Sequence, residues 1–328
     1  MITFYPAPIL HRRNLQQFES WETSHDKTNS LGYNASTPES TLFRATPQCI
    51  LTPDNANGPS YILGESIRSN VVESQVGVPL HLEMQFINIT TCLPATNLFI
   101  DIWSCNTLGV YSGVSAASEG GLGSTFLRGF LQTDNDGVVV FDTIFPGHYS
   151  GRASHAHVIA HSDATLNANG TYSGWHISQL SQLFWDQDLI TKIEATSPYN
   201  TNTIPKTSNN ADLFTGYSAS ASYNLFPEYI FVGGTSDLSK GLMAWIEIGI
   251  RASADYTNYG TNVAYRDAFG GHGNPGFNEG IVDIGPVGTP GGATNPTTPV
   301  STVSKPTISS AVRTVTRTGA GTVAHWGQ

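Results

Sequence analysis

Apolar residues recur at every second position in several short runs of this chain. They are Leu80–Ile87 (LHLEMQFI), Asn97–Trp103 (NLFIDIW), Val138–Phe141 (VVVF) and Ala156–Ala160 (AHVIA). A period of two puts one side of an extended segment against a core and turns the other away, the signature of a strand. Turn-forming clusters separate the runs: LPAT, NTLG, TDNDG and FPGH. Asp136-Gly137, just before VVVF, predicts a tight hairpin. Gly241–Ile250 (GLMAWIEIGI) alternates cleanly and reads as a closing strand. His176–Leu189 is aromatic-rich and fits either a strand or a short helix, and 195–225, rich in Asn, Thr, Ser and Tyr, reads as a long loop. Many short strands with regular punctuation predict an all-β protein, an antiparallel β-sandwich with long loops and few short helices.

Outside this region the pattern fades. Residues 1–45 read as a flexible polar arm in which HRRNLQQFESW has enough period for a short helix. The sandwich is expected over 46–285 and a Pro/Thr/Ser/Gly-rich linker over 286–323, a composition that buries no core. The last residues, 324–328 (AHWGQ), are similar to the opening of a small fungal-type cellulose-binding module, which such linkers tether; an unrelated tail is the other reading.

The chain has 328 residues, 39% hydrophobic and only 12% charged, with a formal net charge of −10. That sign disfavours nucleic acid and anionic membranes as partners, and no apolar stretch is long enough to span a bilayer. Asn34-Ala-Ser, Asn88-Ile-Thr and Asn169-Gly-Thr are glycosylation patterns and suggest a secreted, extracellular protein, although the N-terminus is not a good signal peptide. Cys49, Cys92 and Cys105 allow one disulfide and one thiol; sequence leaves the pairing open, with Cys49–Cys92 favoured.

The candidate chemistry lies in PGHYSGRASHAHV. On a strand, His155 and His157 project from one face and can share a metal ion. Tyr149 and Arg152 just upstream favour a hard trivalent ion, which takes a phenolate oxygen beside imidazole nitrogen. No G-x-S-x-G, P-loop or dinucleotide fingerprint occurs. Arg128, Trp103 and Phe141 read as structural.

Together, DIWSCNTLGVYSGV, FLRGFLQTDNDGVVVF, TIFPGHY and RASHAHV resemble the intradiol ring-cleavage dioxygenases, most nearly their secreted fungal branch. The likeness runs from about Cys49 to about Ile250. It implies a non-haem Fe(III) held by Tyr111, Tyr149, His155 and His157. It also implies a catechol-type, lignin-derived substrate that is cleaved with O2 to a muconate-type diacid. Tyr149 would leave the metal and take up a substrate proton, and Arg152 would stabilise negative charge on the ring. Gln182 matches the family's active-site glutamine, with Gln179 as a rival. Ser104 departs from the family's His or Gln. Dimers are frequent in this family, so a homodimer is a further expectation. Two rival readings are a non-catalytic wall-binding module and a copper or zinc enzyme using the histidine pair. The latter needs a third nitrogen or carboxylate ligand.

Overall fold

Two β-sheets face each other across the main apolar core. A computed structural model describes residues 10–43, 46–166, 172–173, 175–234 and 237–277. The expected linker (286–323), the terminal stub (324–328) and Asn169 lie outside the described residues. The longer strands are β1 (Pro79–Asn88), β2 (Phe99–Trp103), β3 (Arg128–Gln132), β4 (Val138–Ile144), β5 (His155–Ser162), β6 (His176–Phe184), β7 (Glu228–Phe231) and β8 (Leu242–Ile250). The first sheet has the order β6-β5-β2-β3 and is antiparallel throughout. In the second, β7, β8 and β1 lie side by side, and β1 also pairs with β4.

The inner faces are those that the alternation predicts. Ile100, Ile102, Ala156, Val158 and Leu183 from the first sheet meet Leu82, Met84, Phe86, Phe141 and Ile246 from the second in one buried cluster. Three features differ from the expectations. The β8–β1 pairing is parallel, running from Leu242↔Leu80 to Ile250↔Asn88, because alternation specifies a face and carries no strand direction. Asp136-Gly137 makes no hairpin: β3 pairs with β2, whereas β4 pairs with β1, so the turn passes the chain from one sheet to the other. Gly137 (φ +71) serves a close approach there, since a Cβ would lie 2.6 Å from the Phe86 carbonyl oxygen.

The third difference is the N-terminal arm, much of which is a covering layer. Helix α1 (Leu10–Trp21) puts Phe18 into the core at 0% exposure, 5.6 Å from the Phe226 ring. Trp21 Nε1 donates to the Ser220 carbonyl at 2.9 Å. Tyr33, Leu42 and Phe43 pack over Ile230, Met243 and Trp245 on the outer face of the second sheet. A few apolar anchors in a polar segment suffice for this, and they leave little periodicity to read. Phe18→Ala is therefore expected to destabilise the fold by about 3–5 kcal/mol in urea titration, whereas a loose arm would leave the midpoint unchanged.

Cys49 and Cys92 form the disulfide, and Cys105 is a buried free thiol. The bridge closes a loop with a sequence separation of 43, which restricts the unfolded chain by about 4 kcal/mol in the chain-entropy picture.

The segment His176–Leu189 resolves into both of its expected alternatives. Strand β6 ends at Phe184, and helix α2 (Gln187–Glu194) follows, capped by the Asp186 carboxylate, which accepts from Leu189 N. Strand β5 is buried along its whole length. Its outer face is covered too, by a second apolar cluster built on Tyr61, Trp103, Tyr111, Ile159 and Leu180, and the candidate site lies in this layer.

Candidate metal centre

Strand β5 carries His155 and His157 on its outer face, opposite Phe184 and Gln182 of β6. Their Nε2 atoms lie 3.1 Å apart. The two rings are held differently. His155 Nδ1 donates to the Ala153 carbonyl at 2.7 Å, which leaves the lone pair on Nε2. Buried His157 Nδ1 has no hydrogen-bond partner, and that ring is fixed by packing. The Trp103 ring stacks on it at 4.7 Å with 2° between planes. Gly58 (φ +78) closes the other approach, for a Cβ there would lie 2.6 Å from His157 Cε1.

Both tyrosines come from loops. Tyr111 follows β2, and its Oη lies 3.5 Å from His155 Nε2. Its loop is anchored by the fully buried Arg128, which donates to the Ser112 carbonyl from Nε at 2.9 Å and Nη2 at 2.6 Å. Arg128 is thus structural, as the sequence suggests. Tyr149 follows β4, and its ring centroid is 5.4 Å from Tyr111 and 5.5 Å from His155. Gly109 (φ +82) presses the two loops together, because a Cβ there would meet the His148 carbonyl oxygen at 2.4 Å. His148 ties the second loop to α2 through Glu194. Tyr111 is buried and Tyr149 is half-buried as a residue.

Arg152 connects this group to a residue that sequence patterns do not mark. Its Nε donates to both oxygens of buried Asp212 at 3.0 and 2.9 Å. Asp212 also accepts from Ala153 N and from Phe214 N of its own segment, so it ties the arginine loop to that segment. The remaining arms of the fork reach the site: Nη1 donates to Tyr149 Oη at 3.2 Å and Nη2 to Gln182 Oε1 at 2.5 Å. Gln182 thus borders the site. Gln179 turns away toward the Thr52 and Pro53 carbonyls. Asp212 has no local motif around it; its role arises only from the return of the 195–225 segment. His161 and His176 stay apart from the cluster, His161 beside Asp101 at 3.7 Å and His176 against the Ala252 carbonyl.

The electrostatics leave both imidazoles as neutral donors. Burial first, then the Arg152 charge, holds both His155 and His157 well below the ordinary imidazole value, so both are neutral. Burial also lifts Tyr111 well above the usual phenol value and raises Tyr149 against the pull of Arg152. Two imidazole nitrogens thus converge with no proton for each to accept. If His157 Nε2 carries a proton toward His155, its own buried Nδ1 becomes a bare acceptor; otherwise two lone pairs face each other. A metal ion resolves either conflict. The 3.1 Å separation is roughly the edge between neighbouring ligands each about 2.1 Å from one ion. Two phenols beside the imidazoles complete a donor set suited to a hard trivalent cation. Among the described residues no group of three His, Cys, Asp or Glu side chains is placed to hold a metal. The third nitrogen or carboxylate that a copper or zinc reading needs is therefore missing from them.

Gly58→Ala tests this packing. The added methyl overlaps a buried ring that is stacked on Trp103, and the positive φ adds strain. Metal affinity is expected to fall by about 10–100-fold in chelator competition, and an unchanged affinity would contradict the role given to Gly58.

Neither family models nor curated proteins match the sequence. Solved structures do. An intradiol ring-cleavage dioxygenase from Tetranychus urticae is 27% identical, with a TM-score of 0.53, over 63% of this chain and 97% of that one. A second dioxygenase structure is 27% identical with a TM-score of 0.52, again over 63% and 97%. The protein has the fold of these dioxygenases.

Proposed function

We propose that this chain is a non-haem iron(III) intradiol dioxygenase that opens catechol rings with O2 to muconate-type diacids. The observation that carries the reading is the convergence of two phenols and two imidazoles, with His155 and His157 Nε2 3.1 Å apart and Tyr111 Oη 3.5 Å from His155. The ring-cleaving neighbour from Tetranychus urticae supplies the reaction class.

Tyr111, Tyr149, His155 and His157 would hold the iron. When bound, it would supply a Lewis acid that polarises the catechol oxygens and prepares the ring for O2. The chain's own groups do the rest. Tyr149 Oη, a phenolate while it ligates the metal and bonded to Arg152, would take up a substrate hydroxyl proton. Arg152 is locked by Asp212 and Gln182, so its charge stands beside the ring with no reorganisation as negative charge develops. The Ala153 carbonyl keeps His155 in the tautomer whose Nε2 is free to ligate. The apolar layer around Tyr61, Trp103 and Leu180 keeps water away. In the net reaction the bond between the two hydroxyl-bearing carbons breaks and both atoms of O2 enter the diacid.

Secretion is part of the proposal. A disulfide and an exposed Asn34 in an acceptor pattern support an oxidising, extracellular setting. Lignin-derived aromatics at the plant cell wall are the proposed substrates.

The test is the visible spectrum. Iron-loaded protein should be red-brown from tyrosinate-to-iron charge transfer, and catechol added without O2 should shift that band. Fully loaded but colourless protein would overturn the ligand set.

A further inference from the structure

We infer that Glu22, in the N-terminal arm, is a positioning residue for Arg152, so that the arm acts on the site as well as covering the fold. The inference rests on the ring-cleavage reading above and adds to it a remote group that sets the geometry of the charge-stabilising arginine.

Arg152 is held from two separate segments. Asp212 takes its Nε and Gln182 takes its Nη2. Gln182 stands near the end of β6, and Asp212 follows a single helical turn, Asn209–Ala211, inside the irregular 195–225 segment. Buried Asn209 fastens one segment to the other. Its Nδ2 donates to the Trp185 carbonyl at 2.8 Å, just beyond Gln182. Its own carbonyl accepts from Asp212 N at 3.2 Å and from Thr215 Oγ1 at 2.8 Å.

Glu22 closes this clamp from the arm. Its Oε2 accepts from Asn209 Nδ2 at 3.0 Å, and its Oε1 accepts from Gln187 N, the first residue of α2, at 2.7 Å. Gln187 completes the ring, since its Oε1 accepts from Asn209 N at 2.9 Å. The carboxylate is itself fixed in place. It follows directly on α1, where Trp21 bonds to the Ser220 carbonyl, and His25 N donates to the Asp186 carboxylate at 3.0 Å. Both groups that Glu22 meets are N–H donors. A carboxylate satisfies both, whereas an amide turns its NH2 toward one of them. The consequence reaches the site because the Arg152 fork must meet Asp212, Tyr149 and Gln182 at once. A small slip of Asp212 relative to Gln182 spoils that alignment.

Glu22→Gln tests this, with Trp21→Phe as its neighbour in the arm that loses the bond to Ser220 and leaves the clamp intact. The first readout needs no iron: exchange of the Arg152 Nε–H with water in the metal-free protein, followed by nitrogen NMR and assigned by the loss of its signal in Arg152→Lys. Exchange is expected to quicken by about 2- to 30-fold in Glu22→Gln and to stay unchanged in Trp21→Phe. Glu22→Asp, which keeps the charge but is a methylene too short to span both donors, should behave like Glu22→Gln. The second readout is turnover of catechol by the iron-loaded protein. In Glu22→Gln kcat should fall by about 2- to 30-fold, with KM and the charge-transfer band little changed, and this loss should vanish in the Arg152→Lys background. Unchanged exchange in both Glu22 variants overturns the inference. So does an equal quickening in Trp21→Phe, which would mean general loosening of the arm, and so does a turnover loss that persists undiminished beside Arg152→Lys. Iron-loaded wild-type protein that cleaves no catechol would instead sink the ring-cleavage reading, and the exchange readout would still decide whether Glu22 positions Arg152.

Discussion

Tyr111→Phe is expected to give a folded protein that has lost most of its iron affinity, its charge-transfer colour and its turnover. The side chain is 2% exposed and lies against Tyr149, His155 and His157, so a phenyl ring fills the same space. The fold should change little at neutral pH, where burial keeps the metal-free phenol protonated and the substitution removes only its hydroxyl. The loss falls on the metal. Three donors remain where four converge, and one of two phenolates that balance a trivalent charge is gone. Removing a mere orienting partner of a ligand costs about 10–100-fold in affinity or activity; removing a ligand should exceed the upper end. Chelator competition measures the affinity and a thermal melt of the metal-free protein measures the fold. Retained colour and affinity with a normal melt would exclude Tyr111 from the metal. A collapsed melt would mean that the hydroxyl is structural.

The parts of the site that share a local pattern are legible in the amino-acid sequence alone. His155 and His157 stand out because a spacing of two on a strand forces a common face. Arg152 lies on the turn feeding that strand. The inner faces of β1, β2, β4 and β8 follow from alternation for the same reason. What the sequence hides depends on chain return. Asp212 sits 60 residues from Arg152 in an irregular segment, and Gly58 touches His157 across 99 residues of sequence. Neither belongs to a local period. The choice between Gln182 and Gln179 needs the strand register, which pairs Gln182 with His157 and has an irregularity between Ile177 and Gln179. Phe18 reads as part of a polar arm because one buried ring anchors a helix without making its sequence amphipathic for long.

Arg152→Lys separates the two functions proposed for the site, holding the metal and stabilising charge. The lysine keeps a positive charge, so buried Asp212 retains a counter-ion and the fold is spared the roughly 3–5 kcal/mol that an uncompensated buried charge costs. It cannot keep the geometry. Arg152 reaches Asp212, Tyr149 and Gln182 at once from a planar fork, and a single ammonium that stays with Asp212 abandons the other two. The four candidate ligands are untouched, so iron and the charge-transfer band should remain, with at most a small shift as Tyr149 loses its hydrogen bond. Turnover should fall by about 10²–10³, the usual loss when one preorganised charge-stabilising donor is removed. Single-turnover kinetics after anaerobic loading with catechol would place that loss in the chemical step and leave binding little changed. A lysine variant with wild-type turnover would remove Arg152 from the chemistry and reduce its network to a structural brace. A variant that loses iron would mean that the fork's hold on Tyr149 Oη is what keeps the phenol in reach of the metal.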